Sequence, residues 1–215
     1  MEKWQTLSGL RREYGTKALT EEALPVSPFV QFKRWFEDVL ASEISDPTAM
    51  VVSTVDAEGC PDSRVVLLKG IENDTFLFYT NYESSKAAQL TQSPNIALNF
   101  YWPTMARQVR IRGEVSRTSQ TESETYFISR PKESQIAAII SPQSHRIDSR
   151  NTLENAVAQF KVTHPNQPLS CPEYWGGYRV HPKAIEFWQG RDNRLHDRIL
   201  YQYIAERWQY CRLAP

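Results

Sequence analysis

"TAMVVSTVDAEGCPDSRVVLLKG", residues 48–70, decides the fold class. TAMVVSTV is a short run rich in β-branched residues, which reads as a buried strand. DAEG at 56–59 supplies turn residues, with Asp able to bond its own backbone and Gly free at positive φ. SRVVLLKG at 63–70 is then a second strand. Only a turn separates the two, so they pair antiparallel, because a parallel pair needs a crossover of a dozen or more residues.

The same grammar continues outward. DTFLFYT (74–80), NIALNFYW (95–102) and RQVRIRGEVSR (107–117) read as strands. In the last, Val109, Ile111 and Val115 alternate with Arg110, Arg112 and Glu114, giving one core face and one wet face. YWGGYRV (174–180), AIEFWQ (184–189), RILYQYI (198–204) and WQYCRL (208–213) read as four more. Helices lie between and before them. SPFVQFKRWFEDVLASEI (27–44) has Ser27 as N-cap, Pro28 at the first helical position and an apolar face of Phe29, Phe32, Phe36, Val39 and Leu40. ESSKAAQL is a short helix capped near Asn81 or Ser84. SQTESETYFISR opens on a Ser119–Glu122 capping box, KESQIAAII follows Pro131, and RNTLENAVAQFKV is a further helix. Leu7, Leu10 and Tyr14 fall at helical spacing near the start, and THPNQPLSCPE reads as a loop. About eight strands with short connections and inserted helices make an α+β, antiparallel fold, not a Rossmann fold. A closed or split barrel would bury the edges and leave a mouth for a ligand.

Composition sets outer bounds. A chain of 215 residues suits one domain with helical decoration. With 25 basic and 25 acidic residues the net charge is zero, which argues against bulk nucleic-acid or membrane binding. Cys60, Cys171 and Cys211 show no paired spacing, and the four histidines show no ligand spacing, so neither a disulfide framework nor a metal site is expected. The start has no apolar signal core, and a reducing cytoplasm is the expected compartment.

Five segments carry donors suited to anions. Arg64 and Lys69 bracket SRVVLLKG and, in a regular strand, would face opposite ways. FYTNYESSKAAQL runs a strand into a helix start bearing Thr80, Ser84, Ser85 and Lys86, where free N–H groups suit a phosphate. Gln108 sits among arginines and could bond a flat heterocycle. Tyr126 and Arg130 are four apart on a helix, with Ser134 just beyond Pro131; a phenol, a guanidinium and a hydroxyl together suit a phosphate. In FWQGRDNRLHDR, strand alternation puts Arg194, His196 and Arg198 in one row below Trp188, turns Asp197 the other way, and leaves Asp192 and Asn193 as turn residues. Each segment alone also reads as strand-end charge, helix capping or a charged hairpin. Taken together, beside Tyr79, Phe187 and Trp188, they indicate a phosphorylated aromatic cofactor and a phosphorylated small substrate.

These stretches resemble one family in one order. IEFWQGRDNRLHDR, DPTAMVVSTVD, RVVLLK, FYTN, RQVRIRGE, SRPKESQIAAIIS, WGGYRV, the terminal RLAP and LRREY near the start are similar to the pyridoxamine 5′-phosphate oxidase family, from about residue 7 to residue 215. The resemblance implies an FMN-binding split β-barrel, antiparallel and Greek-key-like, with surrounding helices. It implies a single domain over 21–215, a mobile N-terminal arm over 1–20 acting as a lid, and a homodimer with FMN at the interface. The implied reaction oxidises pyridoxine 5′-phosphate or pyridoxamine 5′-phosphate to pyridoxal 5′-phosphate and reduces O2 to hydrogen peroxide. By matching motif, FMN would meet Arg64, Val65, Val66, Leu67, Leu68, Lys69, Tyr79, Thr80, Ser85, Lys86, Gln108, Gln143, Ser144, Trp188 and Arg198. The substrate would meet Lys69, Tyr126, Arg130 and Ser134 at its phosphate and Arg194 and His196, the implied catalytic pair, at its ring. Arg11 and Tyr14 would close over it. The chain departs from the family at Ser85, where many members carry arginine, so the expectation is either a lower FMN affinity or another cation, such as Arg64, carrying more of the charge facing the FMN phosphate.

Two rival readings stand beside this one. A split-barrel flavoprotein with another substrate, such as a nicotinamide-driven flavin reductase, would not need Tyr126, Arg130, Ser134 and the Arg194/His196 pair. A non-catalytic module that stores FMN or pyridoxal phosphate would share the fold, since function lives in the site.

Overall fold

A computed structural model describes residues 12–165 and 167–215. Among them are nine strands: β1 (Ala49–Val55), β2 (Pro61–Leu67), β3 (Gly70–Glu72), β4 (Thr75–Asn81), β5 (Asn95–Trp102), β6 (Arg107–Arg117), β7 (Trp175–Gln189), β8 (Asp197–Ile204) and β9 (Arg207–Leu213). Five α-helices accompany them: α1 (Pro28–Leu40), α2 (Ser85–Gln92), α3 (Gln120–Ser129), α4 (Lys132–Ile140) and α5 (Arg150–Thr163). The sheet order is β2-β1-β5-β6-β7-β4-β3, and β8 pairs with β7 and β9. The chain divides into two compact units. One holds the described residues up to Pro47, Leu98–Ile111 and Lys183–Pro215; the other holds Thr48–Ala97 and Arg112–Pro182. Arg11, and with it the expected helix start at Leu7 and Leu10, lies outside the described residues.

In the second unit the opening hairpin pairs antiparallel from Ala49↔Leu67 to Val55↔Pro61. Asp56 closes its turn by accepting from Glu58 N at 3.1 Å and Cys60 N at 2.7 Å, with Gly59 at φ 83°. SRVVLLKG is not one strand. Leu68 N still donates to Thr48 O at 2.9 Å, but Lys69 N donates to Leu77 O at 2.8 Å, so the chain changes partner from β1 to β4. That switch creates β3, which the sequence reading missed.

In the first unit, Ser27 caps α1 by accepting from Phe29 N at 3.3 Å, with Pro28 behind it. The buried stripe is Phe29, Phe32, Trp35 and Val39. Leu40, expected on that face, is 57% exposed, because the stripe follows the i, i+3, i+7 rows centred on Phe32. Phe32 packs edge-on against Phe100 at 5.2 Å, and Trp35 edge-on against Phe187 at 5.3 Å.

YWGGYRV and AIEFWQ form one strand, β7, not two. Its first half, Trp175–Val180, pairs with β4, and its second, Ala184–Gln189, with β8. Pro182 falls between those two ladders, where its missing N–H breaks neither.

Candidate active site

A cavity of about 710 Å³ opens in the second unit. It takes Arg64 and Lys69 from either side of the partner switch, so residues five apart that regular alternation would separate share one space. The expectation that they face opposite ways fails because β2 ends at Leu67.

Lys86, in the first turn of α2, is buried, and among the described residues no carboxylate forms a salt bridge with its ammonium. Its Nζ donates to Thr80 Oγ1 at 3.0 Å, Gln143 Oε1 at 2.9 Å and Ser84 Oγ at 3.2 Å. Burial, with the charge of Arg64 adding to it, pulls its pKa down to about 8. An anion placed here would find a buried cation whose nearest carboxylate influence, Asp62, is itself paired with Arg64. Arg64, which also lines the cavity, donates to Thr54 Oγ1 at 2.6 Å and pairs with Asp62.

The opposite wall comes from α3 and α4. Arg130 ends α3 just before Pro131 and is held over the Trp175 ring at 4.6 Å. Its Nη1 is buried and has no hydrogen-bond partner among the described residues, and burial lowers its pKa. Tyr126 stacks on Tyr79 with centroids 3.8 Å apart, and Tyr79 lies parallel to Trp175 at 5.5 Å. Burial, with Glu72 adding to it, pushes the Tyr79 phenol up to about 12, and burial also raises Tyr126, so both rings stay neutral donors. Gly177 makes this stack possible, since a Cβ there would come within 2.9 Å of Tyr79 Cε1. Ser134 completes the wall from the first turn of α4.

Trp175 was missed as a site residue; an aromatic beside the two glycines of WGGYRV was its signal. Small residues Ala137, Ala138 and Ser141 also line the cavity, following Ser134 at helical spacing. Val65, Val66 and Leu67 line it too, and Leu68 is only 4% exposed and packs in the core. Ser85 and Ser144 are exposed and stand outside the lining, Ser144 at φ 72° beside Gln143.

The first unit holds a second cluster. Trp188 and His196 have ring centroids 4.8 Å apart, and Tyr14 stands edge-on to both, at 5.6 Å and 5.5 Å. Arg191 N donates to His196 Nδ1 at 3.0 Å, which leaves the proton of the neutral ring on Nε2. Arg198 donates through Nε to Glu186 at 2.8 Å and through Nη1 to Ala214 O at 2.8 Å. Gln108 is half-buried on β6, and Arg194 is exposed. None of these residues lines the cavity.

The expected row of Arg194, His196 and Arg198 on one strand does not form. Asp192–Arg194 is a single 3-10 turn, with Asn193 at φ 55° and Arg194 at φ 59°, and β8 begins only at Asp197. His196 therefore turns to Trp188, and Arg198 to Glu186. Asp192 is not a mere turn residue: its carboxylate accepts from Gly15 N at 2.7 Å. Asp197 does pair elsewhere, with Arg212 at 2.7 Å and Leu19 N at 3.0 Å.

Comparison with known proteins narrows these observations. Residues 36–164 match the pyridoxamine 5′-phosphate oxidase family, and residues 175–215 match the pyridoxine 5′-phosphate oxidase C-terminal dimerisation region. The chain is 56% identical over 215 residues to the pyridoxine/pyridoxamine 5′-phosphate oxidase of Legionella pneumophila strain Paris, with all of both chains covered. It is 47% identical to that of Gloeothece citriformis, over 98% of this chain and 99% of the relative. Among solved structures, PhzG from Burkholderia lata in complex with tetrahydrophenazine-1-carboxylic acid has a TM-score of 0.88 at 25% identity, covering 94% of this chain and all of that one. A pyridoxamine 5′-phosphate oxidase-related, FMN binding protein from Nostoc punctiforme shares the fold, with a TM-score of 0.71 at 17% identity over 89% of this chain and all of that one.

Strand arrangement and neighbours together define the class, the split β-barrel fold of pyridoxamine 5′-phosphate oxidase-like proteins. Within that class the sequence matches are specific. The chain belongs to the pyridoxamine 5′-phosphate oxidase family and is an oxidoreductase by that membership. Its last 41 residues are the family's dimerisation region, and the chain forms a homodimer. Among the described residues no helix is long and apolar enough to cross a membrane.

Proposed function

We propose that this protein oxidises pyridoxine 5′-phosphate or, with uptake of water and release of ammonia, pyridoxamine 5′-phosphate to pyridoxal 5′-phosphate with FMN, passing the electrons to O2 and releasing hydrogen peroxide. The observation that carries the reading is a pair of cations in one cavity: buried Lys86, with no salt-bridge partner among the described residues, and half-buried Arg130, whose buried Nη1 has no hydrogen-bond partner among them. Two such seats suit two phosphates, one on the cofactor and one on the substrate.

The donor set fits FMN. Lys86, Arg64, Thr80 and Gln143 would hold its phosphate, the backbone of Val65–Lys69 its ring edge, and the serines Ser85 and Ser144 the rim. Arg64 supplies cationic charge beside Lys86, which offsets the absence of an arginine at position 85. In the homodimer FMN would lie at the interface, with Gln108, Trp188 and Arg198 completing its site. FMN, when bound, would supply the two-electron redox chemistry.

The chain's own residues bind and orient. Arg130, Tyr126, Ser134 and Lys69 grip the substrate phosphate, and this remote binding fixes the reacting carbon. Arg194 holds the pyridine ring. His196, with its Nε2–H free of the Arg191 contact, donates a hydrogen bond to the substrate. Tyr14 closes over the ring and excludes water.

Adding pyridoxine 5′-phosphate to the FMN-loaded protein in air tests this. Equal amounts of aldehyde and peroxide are expected, with unphosphorylated pyridoxine a poor substrate. Equal turnover of the two would remove the phosphate grip.

A further inference from the structure

The turn that carries Arg194 is tied to the N-terminal segment by two reciprocal hydrogen bonds. Gly15 N donates to Asp192 Oδ1 at 2.7 Å, and Asp192 N donates to Gly15 O at 3.3 Å. Asn193 N donates to Glu13 Oε2 at 3.3 Å, on the other side of Tyr14. Gly15 sits at φ 88°, a conformation that turns its N–H toward the carboxylate and that side-chain-bearing residues rarely adopt. Tyr14 is thus fixed between two ties, edge-on to Trp188 and His196. Gly190 leaves room for it, since a Cβ there would lie 2.8 Å from Tyr14 Cγ.

An aspartate opening a short turn ordinarily bonds the N–H groups of its own turn. Here the carboxylate oxygen goes to a backbone 177 residues away in sequence. We propose that Asp192 is a positioning residue: its carboxylate holds Gly15 so that Tyr14 stays seated on Trp188 and His196, and the same tie steadies the left-handed turn that presents Arg194. The N-terminal segment and the Arg194 turn therefore move as one piece. This rests on the reading of Arg194 and His196 as the substrate end of the site.

Asp192→Ala and Asp192→Asn test it in the FMN-loaded protein. The first readout needs no substrate: trypsin cleavage after exposed Lys17. Loss of one charge-assisted hydrogen bond should speed that cleavage about five- to tenfold in Asp192→Ala. Asp192→Asn keeps an oxygen that accepts from Gly15 N and should stay close to wild type. The second readout is pyridoxine 5′-phosphate oxidation, where Asp192→Ala should raise KM more than it lowers kcat, at unchanged FMN content. Wild-type cleavage and wild-type KM in Asp192→Ala would overturn the proposal, and faster cleavage with unchanged KM would overturn the positioning role. If the wild type releases no peroxide, the functional reading fails instead, and the cleavage comparison alone then decides whether Asp192 holds the segment.

Discussion

Lys86 Nζ donates to Gln143 Oε1 at 2.9 Å, across 57 residues of sequence, and the same oxygen accepts from Thr80 Oγ1 at 3.0 Å. One neutral oxygen thus stands where a carboxylate would neutralise an ordinary buried lysine. The site keeps its charge for a ligand.

Lys86→Met should weaken FMN binding by about a hundredfold, the scale of losing a charge-assisted hydrogen bond in a buried setting. Fluorescence titration of the apoprotein with FMN measures it. The same lysine sets a pH dependence. Its folded pKa of about 8 lies below its unfolded value of 10.5. Between those values the unfolded chain binds the extra proton, so the apoprotein gains stability from this group as pH rises from about 8 to 10.5. FMN affinity should run the other way, falling by up to about tenfold per pH unit above 8 as the ammonium is lost. Urea unfolding and FMN titration over that range check both signs.

Arg130→Ala should raise KM for pyridoxine 5′-phosphate by about thirty- to a hundredfold and change kcat less, since its orphaned Nη1 is placed for the phosphate. Arg130→Lys should recover only part, because an ammonium lacks the planar fork and the stack on Trp175. Steady-state kinetics of both variants, with pyridoxine as control, measure the difference.

Gly190→Ala should disturb the substrate end without touching the cavity. The added Cβ would meet Tyr14 Cγ at 2.8 Å and Ala106 Cβ at 2.9 Å, and the ring is the part able to move. KM should rise several-fold, roughly the cost of displacing one packed aromatic, while FMN affinity, read by titration, holds.

Glu206→Gly should stabilise the fold. The β8–β9 turn places Ala205 at φ 48° and Glu206 at φ 59°, a pair of left-handed positions usually given to Asn and Gly. Relief at one of them is worth about 1 kcal/mol, or roughly 2–4 °C in Tm for a chain of this size. Thermal unfolding against wild type measures it.

Local signals in the sequence carried most of the fold. Ser27 with Pro28 and Ser119 with Glu122 marked two helix starts that the structure reproduces, because caps act over three residues. The β1–β2 hairpin was legible for the same reason. Alternation failed where the chain departs from a regular strand. Arg64 and Lys69 meet in one cavity because the backbone changes partner at residue 68, which no short window reveals. Arg194, His196 and Arg198 do not share a row because Asn193 and Arg194 turn left-handed before β8 starts. Asp192's partner, Gly15, lies at the far end of the chain, and residue type alone marks such a contact no differently from a turn.

The most direct measurement is peroxide released when pyridoxine 5′-phosphate is added to the FMN-loaded protein in air. The account predicts one peroxide and one pyridoxal 5′-phosphate per substrate consumed, with no nicotinamide present. Absence of peroxide, together with bleaching of the flavin by NADH in the absence of any B6 compound, would contradict it.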